Sequence, residues 1–204
     1  MAATRGGKKR KWWQFRGAEE PVFTAGPIHL VARPGEVVWL RGANGAGKTT
    51  LLRALAGLDD NPGLEKTHGI TVSLALQRAA DQLAESTVRA FVDSDEALAQ
   101  LAQPIGSLPG ITLDPESHPL DLPAAHLRLV QLAQVFAQGR QLVLLDEPNV
   151  GLDAPGRERA HALIADALAN GQAIIMTCHD ESFAAEVGEF GSVTARKLLA
   201  QSYP

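Results

Sequence analysis

Cysteine is nearly missing from this chain: Cys178 is the single one in 204 residues, which excludes a disulfide framework and any metal cluster built on several thiolates. Long apolar runs are missing too, since no stretch approaches the roughly 18 residues that a membrane span needs. The charged start is not followed by an apolar core, so it does not read as a secretory signal. There is no internal repeat and no low-complexity tract. Large net charge is also lacking: 19 basic against 23 acidic residues leave −4, which does not describe a polybasic nucleic-acid binder. These absences describe a protein expected in the cytoplasm, where it could still act beside a membrane.

What is present is the composition of a folded domain, with 45% apolar and 21% charged residues. At this length a chain buries roughly 70% of its surface without staples. The charge is unevenly spread. Arg5, Lys8, Lys9, Arg10, Lys11 and Arg16 open the chain with no acid among them, and Trp12, Trp13 and Phe15 are interleaved. Such a segment suits a solvated tail with an aromatic edge packed on the domain, an anionic membrane surface, or stacking on nucleic-acid bases. Residues 1–21 are therefore set apart from a single domain over 22–204.

From residue 22 onward short apolar strands alternate with helical patterns, the mark of an α/β sheet with crossover helices. Strands are expected over 36–41, 70–76, 141–146 and 173–177, and helices over 47–57, 124–138 and about 156–169. Residues 78–122 differ in texture: they are helical in pieces, and five prolines fall between 104 and 123. They read as a small helical insertion, which with the helix that follows spans about 78–138.

Gly42-Ala43-Asn44-Gly45-Ala46-Gly47-Lys48-Thr49 matches the phosphate-loop pattern GxxxxGK[ST], followed by Thr50, between an expected strand and an expected helix. Glycines let backbone N–H groups turn toward phosphate oxygens, and the helix N-terminus adds its positive end. Lys48 is placed to reach the outer phosphates and the Thr49 hydroxyl to bind Mg²⁺. The strand Leu142–Leu145 runs into Asp146 and Glu147. The first carboxylate can hold Mg²⁺ beside the loop, and the second can act as general base on an attacking water.

Together, ANGAGKTT, LVLLDEP and the Gly151-Leu152-Asp153 that follows resemble the nucleotide-binding subunit of ATP-binding cassette (ABC) transporters, over roughly residues 22–185 and in the family's order. The resemblance implies a P-loop NTPase core with an inserted helical subdomain. It also implies ATP and Mg²⁺ as cofactors, and catalysis by Glu147, His179 and Gln77. Asp153 falls on the family's D-loop, which communicates across a dimer. His179, in Thr177-Cys178-His179-Asp180, falls on the switch histidine. Gln77 falls on the Q-loop glutamine near Mg²⁺, with Gln82 a nearby competitor. Phe15 is the best match to the residue on which the family stacks adenine, with Trp13 and Phe23 as rivals.

One departure stands out. The family's LSGGQ signature should fall on Leu122-Pro123-Ala124-Ala125-His126, where the serine and both glycines are missing. In the family that segment grips the γ-phosphate of ATP held by the partner subunit. Pro123 removes a hydroxyl and an N–H donor, and alanine methyls crowd a backbone that must approach phosphate closely. Asp121 and Pro123 still make a good helix start. The resemblance thus implies an ATPase subunit at the cytoplasmic face of the membrane, driving a separate permease. Its partner would be a second cassette, in a heterodimer rather than a homodimer, and no direct nucleic-acid contact is expected. The alternatives are a weakly hydrolysing assembly subunit and an ATPase of the same family acting on nucleic acid or the ribosome.

Overall fold

The computed structural model of the chain describes residues 3–5, 23–25, 28–59, 69–198 and 200–201. Three short strands, β1 (Ala3–Arg5), β2 (Phe23–Ala25) and β8 (Ala200–Gln201), form an antiparallel sheet in the order β1-β2-β8. The main sheet contains β3 (Glu36–Arg41), β4 (Val72–Ala75), β5 (Leu142–Asp146), β6 (Ala173–Thr177) and β7 (Ser192–Lys197). Among the described residues its order is β4-β5-β6-β3-β7, with every pairing parallel. All five strands therefore end at the same edge, where ligands bind in open α/β sheets. This is the α/β architecture expected of a P-loop NTPase.

Both faces of the sheet are covered, and the strand sequences divide between them with period two. Val38, Leu40, Leu144 and Ile175 face α1 (Lys48–Leu55), packing on Leu51, Leu52 and Leu55. Val37, Val143, Leu145, Ile174 and Met176 face α4 (Ala124–Ala137) and α5 (Ala154–Ala169). Leu51, Leu52, Leu144 and Leu145 are fully buried, and each such side chain contributes about 1.5–3 kcal/mol.

The inserted region folds as expected into helical pieces. Thr87 caps α2 (Val88–Val92) by accepting from Ala90 N, and Ser94 caps α3 (Asp95–Ala102) by accepting from Ala97 N. Val88, Phe91, Val92, Ala97 and Leu101 join the cluster under α4 and α5, so the insertion shares a core with the sheet. Arg159, buried on α5, donates to the carbonyls of Leu101 at 3.3 Å, Gln103 at 3.1 Å and Pro109, which pins the insertion to the domain. Asp121 lies in a short 3₁₀ turn, Pro119–Asp121, and Pro123 occupies the cap position of α4 without a side-chain capping bond. The helix thus starts where it was expected, at the residue after Pro123, with Asp121 in the turn before it. The α6 helix (Glu181–Val187) follows β6 and is capped by Asp180.

Candidate functional site

The glycine-rich loop joins the end of β3 to α1. Gly45 and Gly47 have φ of 78° and 88°, a left-handed conformation that glycine adopts without a steric penalty. Gly42 is required for a different reason: a β-carbon there would lie 2.9 Å from the carbonyl oxygen of Leu198. Gly47 is the cap residue of α1 and provides no side-chain capping bond, so the first N–H groups of the helix are presented to an anion. Lys48 is only 8% exposed. Its Nζ donates to Gly42 O at 2.8 Å and Ala43 O at 3.2 Å, and lies 3.1 Å from His179 Nε2.

Asp146 ends β5 with its carboxylate fixed on both sides. Oδ2 accepts from Thr49 Oγ1 at 2.8 Å, and Oδ1 accepts from Thr177 Oγ1 at 2.7 Å. Glu147 stands one residue further, buried, with φ of 51°. That left-handed backbone is unusual for a residue with a side chain, and more so before proline. Its N–H donates to Thr177 Oγ1 at 3.0 Å and Thr177 O at 3.2 Å, and Oε2 accepts from His179 N at 3.1 Å. Glu147 Oε1 is buried with no hydrogen-bond partner among the described residues, and His179 Nε2 lies 3.4 Å from it.

These groups enclose a cleft of about 640 Å³ lined by residues 44–50 together with Gln77, Asp146, Glu147 and His179. The size suits a nucleotide. The hydroxyl of Thr49 and the carboxylate of Asp146 are hard oxygen ligands of the kind Mg²⁺ takes beside phosphates. A buried lysine, uncapped helix N–H groups and a partnerless carboxylate oxygen therefore fit Mg-ATP.

The structure separates the two glutamines left open by the sequence. Gln77 lines the cleft. Gln82 turns back on the strand end, accepting from Leu76 N at 2.7 Å and donating to Leu74 O at 2.7 Å. Asp153 caps α5 by accepting from Gly156 N at 2.8 Å. The segment 122–126 lies at the start of α4 and does not line this cleft. Phe15 and Trp13 lie outside the described residues, and Phe23 opens β2.

Two arginines escaped the sequence reading. Arg157 on α5 bonds the Asp180 carboxylate and donates to both oxygens of Glu186, at 2.9 and 3.0 Å. Bonds from Ser182 and Arg157 hold the Asp180 carboxyl well below the usual carboxylate range. Arg157 thus ties the helix behind Asp153 to the residue after His179. Arg128 on α4 is 3% exposed. Burial lowers its pKa to about 10, against the pull of Asp146 and Glu147, so it stays charged at neutral pH. The available signal for Arg128 was its place four residues from Ala124 and Leu132, on the apolar stripe of the helix, where a charged residue needs partners.

The sequence pattern of the ABC transporter family matches residues 26–150. A Streptomyces coelicolor protein named as an ABC transporter ATP-binding protein is 35% identical over 179 residues, 78% of this chain and 31% of that protein. The chain thus spans about a third of that relative's length. A cytochrome c biogenesis ATP-binding export protein, CcmA, of Bordetella parapertussis is 33% identical over 184 residues, 75% of this chain and 76% of that protein. Among solved structures, a dimeric ATP-binding cassette in a post-hydrolysis state with ADP and Pi aligns with a TM-score of 0.68. The alignment covers 99% of this chain and 98% of that one at 18% identity, a likeness of fold. With its glycine-rich loop, paired strand-end carboxylates and His179 lining one cleft, the chain belongs to the ABC transporter family.

Proposed function

We propose that this chain hydrolyses ATP as the nucleotide-binding subunit of a transporter, driving a separate membrane permease from its cytoplasmic face. The observation that carries the reading is Glu147: a buried carboxylate whose Oε1 lacks a hydrogen-bond partner among the described residues, in the wall of a cleft shared with Lys48, Thr49 and Asp146. Bound Mg-ATP would supply the phosphoryl group under attack and a cation that offsets the charge developing on it. Lys48 and the N–H groups at the start of α1 hold the phosphates. Thr49 and Asp146 would hold the metal, and Gln77 lines the same cleft. Glu147 accepts a proton from the attacking water through Oε1. His179 stands between Lys48 Nζ and Glu147, where it orients the reacting groups.

The dimer we propose is asymmetric. In composite cassette sites, ATP on one chain is completed by the signature segment of the other. Leu122–His126 lacks the serine and glycines of that segment, so ATP on the partner is held without efficient turnover, while ATP on this chain turns over if the partner supplies an intact signature. The permease docks near Gln77 and residues 78–122. A second reading, a cassette that holds ATP and assembles a complex with little catalysis, is favoured by the same Leu122–His126 segment.

Glu147→Gln separates the two. In the complex captured from membranes through a tagged chain, the first reading expects ATP turnover to fall about 10²- to 10⁴-fold with nucleotide affinity retained. A permease and a second cassette with an intact signature are expected in the same capture. Turnover unchanged by Glu147→Gln would overturn the catalytic reading in favour of the second.

A further inference from the structure

Arg128 sits one turn into the helix that Leu122–His126 opens, and its guanidinium faces away from that segment, into the domain. Nη2 donates to Asp146 O at 2.7 Å and to Glu147 O, Nε donates to Pro148 O at 3.2 Å, and Nη1 donates to Leu76 O at 2.6 Å. One buried cation thus gathers three consecutive carbonyls from the end of β5 and the turn after it, and one from the residue before Gln77. Gln131, one turn further along α4, accepts from Arg128 Nη1 and donates to Leu76 O at 3.0 Å and to Gln82 Oε1. Gln82 in turn holds Leu76 N and Leu74 O.

We infer that Arg128 is a positioning residue for the hydrolysis proposed above, fixing the main chain that aims Glu147 into the cleft. The inference rests on that reading of Glu147. The strain at Glu147 is what gives Arg128 its task. A non-glycine residue in the left-handed region is disfavoured and persists only where its surroundings over-determine it. Three carbonyls locked to one planar guanidinium supply that constraint, because the planar fork fixes their relative directions. Lysine, a single point donor, cannot span all four carbonyls. The arrangement also makes α4 the shared support of two distant things: the segment that would face the partner's nucleotide at its start, and this chain's own carboxylate at Arg128.

The test uses the full chain in its captured complex and compares Arg128→Lys and Arg128→Met with wild type, in turnover at saturating Mg-ATP and in affinity for a fluorescent ATP analogue. Misplacement of a reacting group by about 1 Å costs on the order of 10²-fold in rate. Arg128→Lys is therefore expected to lower kcat about tenfold or more while the affinity stays within about twofold, with Arg128→Met lower still. A purely structural role would instead lower affinity and kcat together, in step with the melting temperature. Because Arg128 acts through Glu147, adding Arg128→Lys to Glu147→Gln should change turnover no further. The inference is overturned if Arg128→Lys turns over at the wild-type rate, or if its loss is undiminished in the Glu147→Gln background. Should Arg128→Met fail to fold, Arg128→Lys decides alone, since it keeps the buried charge. Failure of Glu147→Gln itself to slow turnover would strike at the proposed function rather than at Arg128.

Discussion

Thr49 Oγ1 donates to Asp146 Oδ2 at 2.8 Å, joining the first turn of α1 to the end of β5 through a single bond between two side chains. The opposite oxygen of Asp146 is held by Thr177 Oγ1 at 2.7 Å. The carboxylate is thus oriented by two hydroxyls from two different elements, and its Oδ2 lies beside the Thr49 hydroxyl at the cleft wall.

Removing its charge should act on the metal before the nucleotide. Asp146→Asn is expected to raise the Mg²⁺ concentration needed for half-maximal ATP turnover by about tenfold or more. Affinity for ATP in the absence of Mg²⁺ should change little. A magnesium titration of turnover checks this, and an unmoved midpoint would remove Asp146 from the metal site.

Rebuilding the segment at the start of α4 separates its two roles, as a helix start and as a phosphate grip. The quadruple change Pro123→Ser, Ala124→Gly, Ala125→Gly, His126→Gln restores LSGGQ. In the assembled complex it is expected to raise ATP turnover by bringing the second composite site into action. Two glycines in the first helical turn cost roughly 0.5–1 kcal/mol each, so the melting temperature should fall at the same time. Turnover that stays level while stability drops would mean that Leu122–His126 is not what limits the partner's site.

Cys178 supplies a test by pH. The thiol is buried between β6 and His179, with Sγ 3.2 Å from Asn149 Oδ1 and 3.3 Å from Asp180 O. Burial pushes its pKa up to about 12. The folded state therefore keeps the proton that the unfolded chain loses near pH 9, so the stability tied to this group is complete below about pH 9 and is lost as pH rises toward 12. Urea unfolding at stepped alkaline pH should show that decline, and Cys178→Ala should flatten the part of it that belongs to this residue. At pH 8 the native thiol should react with a thiol reagent far more slowly than the urea-unfolded chain.

Much of this was legible beforehand because the informative residues are adjacent in sequence. The loop 42–49 and the pair Asp146-Glu147 carry their chemistry in consecutive positions, and the strands around them alternate or run apolar as buried parallel strands must. What the sequence did not disclose lies across long separations. Gln82 and Gln77 are equivalent on paper, and only the fold of residues 74–82 shows one bonded back to Leu74 and Leu76 and the other lining the cleft. Arg128 reads as one more residue of an amphipathic helix until its carbonyl partners, 18 to 20 positions ahead and 52 behind, come into view. Arg157 likewise meets Asp180 only because α5 and α6 lie side by side.

The left-handed backbone at Glu147 sets local stability against the chemistry proposed for that position. Glycine would sit at position 147 more comfortably than glutamate, asparagine nearly so, and neither could abstract a proton. The turn after β5 is therefore a place where a gain in stability and a loss of turnover would come from one and the same substitution.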